Sequence, residues 1–282
     1  MLKPLLAACT IALTAPAGWA ACATDAEITA FVESFLAKTP AQALSPGGSM
    51  ADALCTQAKL AAALEPHLGP VIGYKAGLTS KPAQDRFGAT EPVRSLLFQN
   101  MMLEDGTAVN TPWGAIPMVE ADLVLVVADE GINSATTPEE ALAHISAIRP
   151  FIELPDLTLA KDQPFTAETI TAMGVGTRLG VLGAPVPVED PAAMARMLEE
   201  MTVTMRDADG GVLVQAPGRA VLGSPVNAAL WLRSKGVEFK AGDLISVGSF
   251  GPLFPPQAAK GGVSVTYEGL PDDPVVTVNF KE

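Results

Sequence analysis

The sequence predicts an α+β fold, and three observations carry that prediction. Apolar residues at helical spacing fill residues 24 to 68. From Val71 onward the pattern changes to short apolar runs punctuated by Gly and Pro, the mark of strands. Those runs and the helical stretches between them do not alternate regularly, which separates the chain from a parallel strand–helix–strand sheet. No internal repeat or low-complexity tract interrupts the pattern.

The first twenty residues are organised as a secretory signal. Lys3 supplies a positive start, residues 5 to 15 an apolar middle, and Gly18-Trp19-Ala20 a small-residue cleavage site before Ala21. The apolar stretch is too short to span a bilayer. Leu6-Ala7-Ala8-Cys9 offers a lipoprotein alternative, but it leaves too little apolar chain ahead of the cysteine. A periplasmic or secreted protein is therefore expected, with no membrane association after cleavage. Removal of residues 1–20 takes Cys9 and leaves Cys22 and Cys55, an even pair for which an oxidising compartment predicts a disulfide.

In the mature chain, Asp25 is read as the cap of a first helix with Ile28, Phe31, Val32, Phe35 and Leu36 on its apolar side. Residues 40–49 hold two prolines, two glycines and two serines and read as a loop. A second helix follows, with Ala53, Leu54, Ala58, Leu60, Ala61 and Leu64 inward; His67, beyond Pro66, reads as a helix-end residue. These elements are read as an N-terminal helical segment, residues 21–70, ahead of a strand-rich domain over residues 71–282. Strands are expected at 71–78, 119–127 and 148–154. Thr137-Pro138-Glu139-Glu140 is a capping box that opens a helix to about Ile148, carrying His144 without a role. Further on, Asp207-Ala208-Asp209-Gly210-Gly211 reads as the turn of a hairpin between 201–205 and 212–215. A helix over 226–235 closes at Gly236, and strands are expected at 244–247, 263–267 and 275–280.

Composition excludes some partners. The formal charge of −13 argues against nucleic acid or an anionic membrane surface, and 5% aromatic residues provide no stacking platform for bases. The chemistry points elsewhere. Glu120 and Asp122, in Val119-Glu120-Ala121-Asp122-Leu123-Val124, lie two apart on a strand and so share a face, roughly 7 Å apart along the chain. Such a pair is ordinarily one solvated face of an edge strand. Here Leu123 to Val127 is a continuous apolar run, as in a strand buried on both faces. Glu153, in Pro150-Phe151-Ile152-Glu153, adds a third acid in another apolar strand. Buried acids need a positive partner, and oxygen-only ligation suits a hard cation such as Mg²⁺ or Mn²⁺.

Two glycine-flanked motifs complete the candidates. Lys75, in Gly73-Tyr74-Lys75-Ala76-Gly77-Leu78-Thr79-Ser80, is read as a buried lysine whose pKa burial lowers, suiting it to proton transfer; a surface lysine or structural ion pair is the alternative. Gly248-Ser249-Phe250-Gly251-Pro252 follows a strand, and its backbone N–H groups can approach an anion, making Ser249, Phe250 and Gly251 candidate substrate-binding residues; a simple turn is the alternative.

These motifs, in this order, resemble the 2-oxopent-4-enoate hydratase and 4-oxalocrotonate decarboxylase group of the fumarylacetoacetate hydrolase superfamily. The resemblance runs from Gly73 to Phe280 and includes Leu222-Gly223-Ser224-Pro225-Val226-Asn227-Ala228 and Lys240-Ala241-Gly242-Asp243-Leu244-Ile245. It implies a fumarylacetoacetate-hydrolase-like fold of mixed, layered β-sheets and a homo-oligomer. It also implies a Mg²⁺ or Mn²⁺ held by Glu120, Asp122 and Glu153, and Lys75 as the proton-transfer residue of a hydratase-type lyase. The substrate so implied is a small 2-oxo or 2-hydroxydienoic acid. Three positions depart from the family pattern. Asp122 stands where a Glu is usual, and Arg94 follows Pro92-Val93 where an acid is often found. Ala172-Met173-Gly174-Val175-Gly176 lacks the amide or hydroxyl of the corresponding stretch. Alternatives are a non-catalytic binder of metal and small anion, a decarboxylase, or a carbon–carbon hydrolase. The last commonly uses a His–Glu arrangement to activate water, and neither His67 nor His144 sits in one.

Overall fold

The computed structural model describes residues 22–281, so the signal-like segment 1–20 lies outside the described residues. Two helices open the described chain. α1 (Asp25–Ala37) is capped by Thr24, one residue before the expected Asp25, because Thr24 and Glu27 satisfy each other's backbone N–H groups in a capping box. It buries Ile28, Phe31, Val32 and Phe35. α2 (Met50–Leu68) begins with the same device, Ser49 with Asp52, and continues through Pro66 to Leu68. Cys22 and Cys55 are joined by a disulfide, with Cα atoms 5.5 Å apart, which ties the start of α1 to α2. Ala53, Leu60 and Leu64 of α2 share one apolar cluster with Phe98, Met101, Ala172 and Met173 from the rest of the chain, so the helical segment is seated on the strand-rich part.

The chain then builds two mixed sheets. The larger takes β1 (Val71–Gly77), β2 (Val93–Phe98), β3 (Met102–Glu104), β5 (Glu120–Val127), β6 (Ile145–Leu154), β7 (Leu179–Leu182) and β11 (Leu244–Ser246). Their order across the sheet is β2-β1-β11-β5-β6-β7-β3, with β8 (Val186–Pro187) paired to β6. The smaller sheet runs β10-β9-β12-β13-β4, from β10 (Val212–Pro217), β9 (Thr202–Asp207), β12 (Gly262–Glu268), β13 (Val275–Lys281) and β4 (Ala108–Asn110). β12 and β13 pack on β6 and β7, and one apolar cluster unites the facing sides, Leu123, Leu125 and Ile152 with Met205, Val265 and Val276. Three parallel pairs, β1 with β11, β3 with β7 and β4 with β13, join strands far apart in sequence.

The remaining helices are α3 (Lys81–Phe87), α4 (Pro138–Leu142), α5 (Ala167–Ala172), α6 (Pro191–Glu200) and α7 (Asn227–Ser234); α4 packs on β6, and α7 on β1 and β11. Thr137 caps α4 as expected, but the helix ends at Leu142, well short of Ile148. Ile145 to Ile148 instead pair with Val127 to Leu125 of β5, so cross-strand pairing overrides local helical propensity. Among the described residues no helix is long and apolar enough to cross a membrane.

Candidate metal centre

The centre of the larger sheet holds the three acids. Being buried almost end to end, β5 carries Glu120 and Asp122 into the interior. Antiparallel register places Glu120 directly opposite Glu153 of β6, and Asp122 opposite Phe151. Glu120, Asp122 and Glu153 are 4%, 0% and 1% exposed, and each offers a carboxylate oxygen within 4.8 Å of the others. Like charges directly across a ladder repel, and burial removes the water that would screen them.

Lys75 is the cation that the fold brings to them. It lies on β1, is 3% exposed, and forms ion pairs with Glu153 Oε1 and, at 3.5 Å, Glu120 Oε1. Were all three carboxylates ionised, one ammonium would leave two negative charges uncompensated. The acids respond as burial dictates: desolvation first, then the charge of Glu120, pushes Asp122 up to about 6, and desolvation holds Glu153 well above the usual carboxylate range. Lys75 moves opposite to the expectation. Burial pulls its pKa down, but the charges of Glu153 and Glu120 outweigh it, and the ammonium titrates above its ordinary value.

Whether these residues fit a divalent cation can be tested on their unused valences. Glu153 Oε2 is buried with no hydrogen-bond partner among the described residues, although its twin oxygen binds Lys75. Asp122 is differently held: Oδ1 accepts from Gly248 N–H at 2.9 Å and Leu123 N–H at 2.6 Å, and Oδ2 accepts from Ser246 Oγ at 2.5 Å. An orphaned carboxylate oxygen beside two further acids, with excess negative charge and no sulfur or imidazole, fits a hard cation such as Mg²⁺ or Mn²⁺.

The other candidate residues fall around this core in distinct ways. Ser249 Oγ and the Gly251 backbone bond each other in a local turn. Phe250 points its ring into the core, edge-on to Tyr267 at 6.4 Å, and its N–H donates to Ala121 O. The backbone N–H of this segment that reaches the site is Gly248's, and it meets Asp122. A side chain at Gly248 would collide with Thr79 Oγ1 at 2.4 Å, so glycine permits the close approach of this segment to the turn after β1. Arg94 pairs in register with Ala76, one residue from the Lys75–Ser95 pair, and so lies on the opposite face of the sheet from Lys75. There it lines a cleft of about 450 Å³ with Tyr74, Gln57 and Lys240.

Three contributors were invisible in the sequence. Ser246 binds Asp122 from β11, 124 residues later. Val175 sits at φ +53°, a left-handed conformation unusual for a β-branched residue, and turns its carbonyl to Lys75 Nζ at 3.4 Å. The segment 172–176, bare of polar side chains, thus offers a backbone polar atom; Gly174 O is in turn held by Ser95 Oγ at 2.7 Å and Thr177 Oγ1 at 2.8 Å. Tyr267, fully buried in β12, donates its hydroxyl proton to Asp122 O. Gly174 and Gly176 around a lone Val were the one available signal, of a tight turn.

Comparison with known proteins bears on the family and the fold. The profile of the fumarylacetoacetate (FAA) hydrolase C-terminal family matches residues 53–271. The chain is 30% identical over 208 residues to a 2-hydroxyhexa-2,4-dienoate hydratase of Comamonas testosteroni, covering 71% of this chain and 75% of that one. It is 31% identical over 205 residues to a 2-keto-4-pentenoate hydratase of Burkholderia vietnamiensis, with the same coverage. Among solved structures, 4-oxalocrotonate decarboxylase from Pseudomonas putida G7, complexed with magnesium and adipate, superposes with a TM-score of 0.76 at 22% identity, over 91% of this chain and 96% of that one. Fumarylpyruvate hydrolase from Pseudomonas aeruginosa, in complex with Mn²⁺ and pyruvate, gives 0.52 at 16% identity, over 73% and 88%.

Proposed function

We propose that this chain, which belongs to the fumarylacetoacetate hydrolase family, is a divalent-metal-dependent lyase of the hydratase type acting on a small 2-oxo or 2-hydroxydienoic acid. The observation that carries the proposal is the buried triad Glu120, Asp122 and Glu153, with its orphaned Glu153 Oε2. These three carboxylates would hold Mg²⁺ or Mn²⁺. When bound, the ion supplies Lewis-acid stabilisation of negative charge developing on a 2-oxygen.

The chain's own residues do the rest. Lys75 is a buried ammonium ion-paired with Glu153 and Glu120, so it can attract the substrate's carboxylate; a divalent cation on those two acids would oppose the charges that raise its pKa, which is what proton donation from it to a carbon of the enol chain requires. Ser246 and Gly248 fix the Asp122 carboxylate from two sides. Gly77, two residues from Lys75 on the same strand face, faces Val93 and Val175: a Cβ there would lie 3.3 and 2.5 Å from their methyl groups. Val93 and Val175 belong to an apolar cluster with Ala167 and Ile170, flanked by Leu78, Phe87 and Phe165. An apolar wall beside the proton-transfer lysine favours an acid with a hydrocarbon tail over one with a second carboxylate, which would be buried without a counter-ion.

The proposal extends to an exported homo-oligomer. What supports export is the signal-like organisation of residues 1–20 and the Cys22–Cys55 bridge just beyond it. The test is loss of ultraviolet absorbance of 2-hydroxydienoates when the protein, matured at Ala21, is supplied with Mg²⁺ or Mn²⁺. Consumption that needs the metal is expected. Tight metal binding with no dienoate consumed would favour the non-catalytic binder, and a mature N-terminus upstream of Ala21 would overturn the export reading.

A further inference from the structure

We infer that Tyr267 is a positioning residue for the metal centre: its hydroxyl, brought in from the second sheet, holds the Asp122 backbone against β6 and keeps the three carboxylates in register. The inference rests on the metal reading above and concerns a residue outside the ligand set.

Tyr267 is fully buried on β12, where its backbone N–H is fixed to Pro274 O at 3.0 Å and its register to Val203 of β9. Its ring crosses the layer between the sheets, and its hydroxyl ends on the β5–β6 ladder. There it donates to Asp122 O and accepts from Phe151 N–H at 3.1 Å, with Phe151 O also 3.1 Å away. Asp122 and Phe151 are cross-strand partners, and two residues further along the same ladder Glu120 faces Glu153. The hydroxyl therefore touches both strands at the step next to a repelling acid pair. When Glu120 and Glu153 are both ionised their repulsion opposes closure of the ladder at that end, with Lys75 pairing to both on the other side of the balance, and the tyrosine bridges the strands where the third ligand's backbone lies. Apolar side chains would suffice to pack the two sheets. Val265, two residues away on the same strand and equally buried, does so and makes no polar contact with the ladder. A buried hydroxyl is costly unless it is paired, and every pairing this one makes is to the backbone around Asp122.

The test compares Tyr267→Phe with Val265→Ala by Mn²⁺ titration calorimetry, well below the melting temperature of each variant. Tyr267→Phe keeps the ring and removes the hydroxyl, and Mn²⁺ affinity should fall roughly tenfold or more, as for the loss of other supports behind metal ligands. Val265→Ala should lower the melting temperature while leaving Mn²⁺ affinity unchanged. Equal affinity in Tyr267→Phe and wild type, or equal losses in both variants, would overturn the positioning role. A second measurement needs no substitution. The chain has two tyrosines, so biosynthetic 3-fluorotyrosine labels only Tyr74 and Tyr267. Saturating Mg²⁺ should shift the ¹⁹F signal of Tyr267 more than that of Tyr74, and an unmoved Tyr267 signal would also overturn it. A wild-type protein that takes up no Mn²⁺ would sink the metal reading itself, and this inference with it.

Discussion

Replacing Asp122 with Asn should change stability in opposite directions with and without metal. The amide is nearly isosteric: its oxygen can keep the Gly248 and Leu123 N–H groups, while its nitrogen faces Ser246 Oγ, which then accepts. What it loses, above the pH of about 6 at which Asp122 ionises, is a buried negative charge beside Glu120. Coulomb's law at an effective dielectric of about 20 assigns roughly 3.5 kcal/mol to a carboxylate pair at the site's outer spacing. That spacing is 4.8 Å, and the carboxylate charge that raises Asp122 is that of Glu120. Its attraction to Lys75 and relaxation of the site offset part of this, leaving relief of about 1–3 kcal/mol in metal-free protein. In EDTA, Asp122→Asn should therefore melt at or above wild type. With Mn²⁺ at 100 times its dissociation constant, wild type should gain about 2.7 kcal/mol, or roughly 5–10 °C in melting temperature for a domain of this size. The variant should gain little. Differential scanning calorimetry of both proteins under both conditions decides it. A variant that melts lower in EDTA and still shows the full Mn²⁺ shift would refute the reasoning, because Asp122 would then be a structural acid whose charge the fold needs.

Lys75→Met should leave Mn²⁺ bound while lowering turnover of any active dienoate by about 10²–10⁴-fold, measured as kcat with metal saturating; wild-type turnover would remove Lys75 from the mechanism. Gly77→Ala places a methyl 2.5 Å from Val175 Cγ1 and must displace it, so turnover should drop with Mn²⁺ affinity retained, and unaltered turnover would show that the apolar wall does not bear on the reaction. Reduction of Cys22–Cys55, separated by 33 residues, should cost about 3–4 kcal/mol in the chain-entropy description, read as a lowered melting temperature with reductant. Intact mass should rise by two hydrogens on reduction, and thiols that alkylate without reductant would exclude the bond.

The sequence alone determined the elements whose signals are local. Alternation places Glu120 and Asp122 on one face of β5, and the apolar run after them marks a strand buried on both sides. The spacing of Phe31, Val32 and Phe35 makes α1 a helix whatever it packs against. The run Gly73 to Gly77 around Lys75 likewise lies in β1. Tertiary structure decided everything that depends on which strands become neighbours. The opposition of Glu120 and Glu153 follows from a register set by β5 and β6 together, and that same pairing turned the expected end of α4 into the start of β6. The direction of the Lys75 pKa could not be read from burial alone, because it depends on how near Glu153 and Glu120 come. Ser246 and Tyr267 reach Asp122 from 124 and 145 residues away, across a strand pair and a sheet interface. Side-chain periodicity records which face of an element is buried, but it carries no record of what lies on the other side of the contact. Partner identity at the metal centre is therefore a property of the packed sheets.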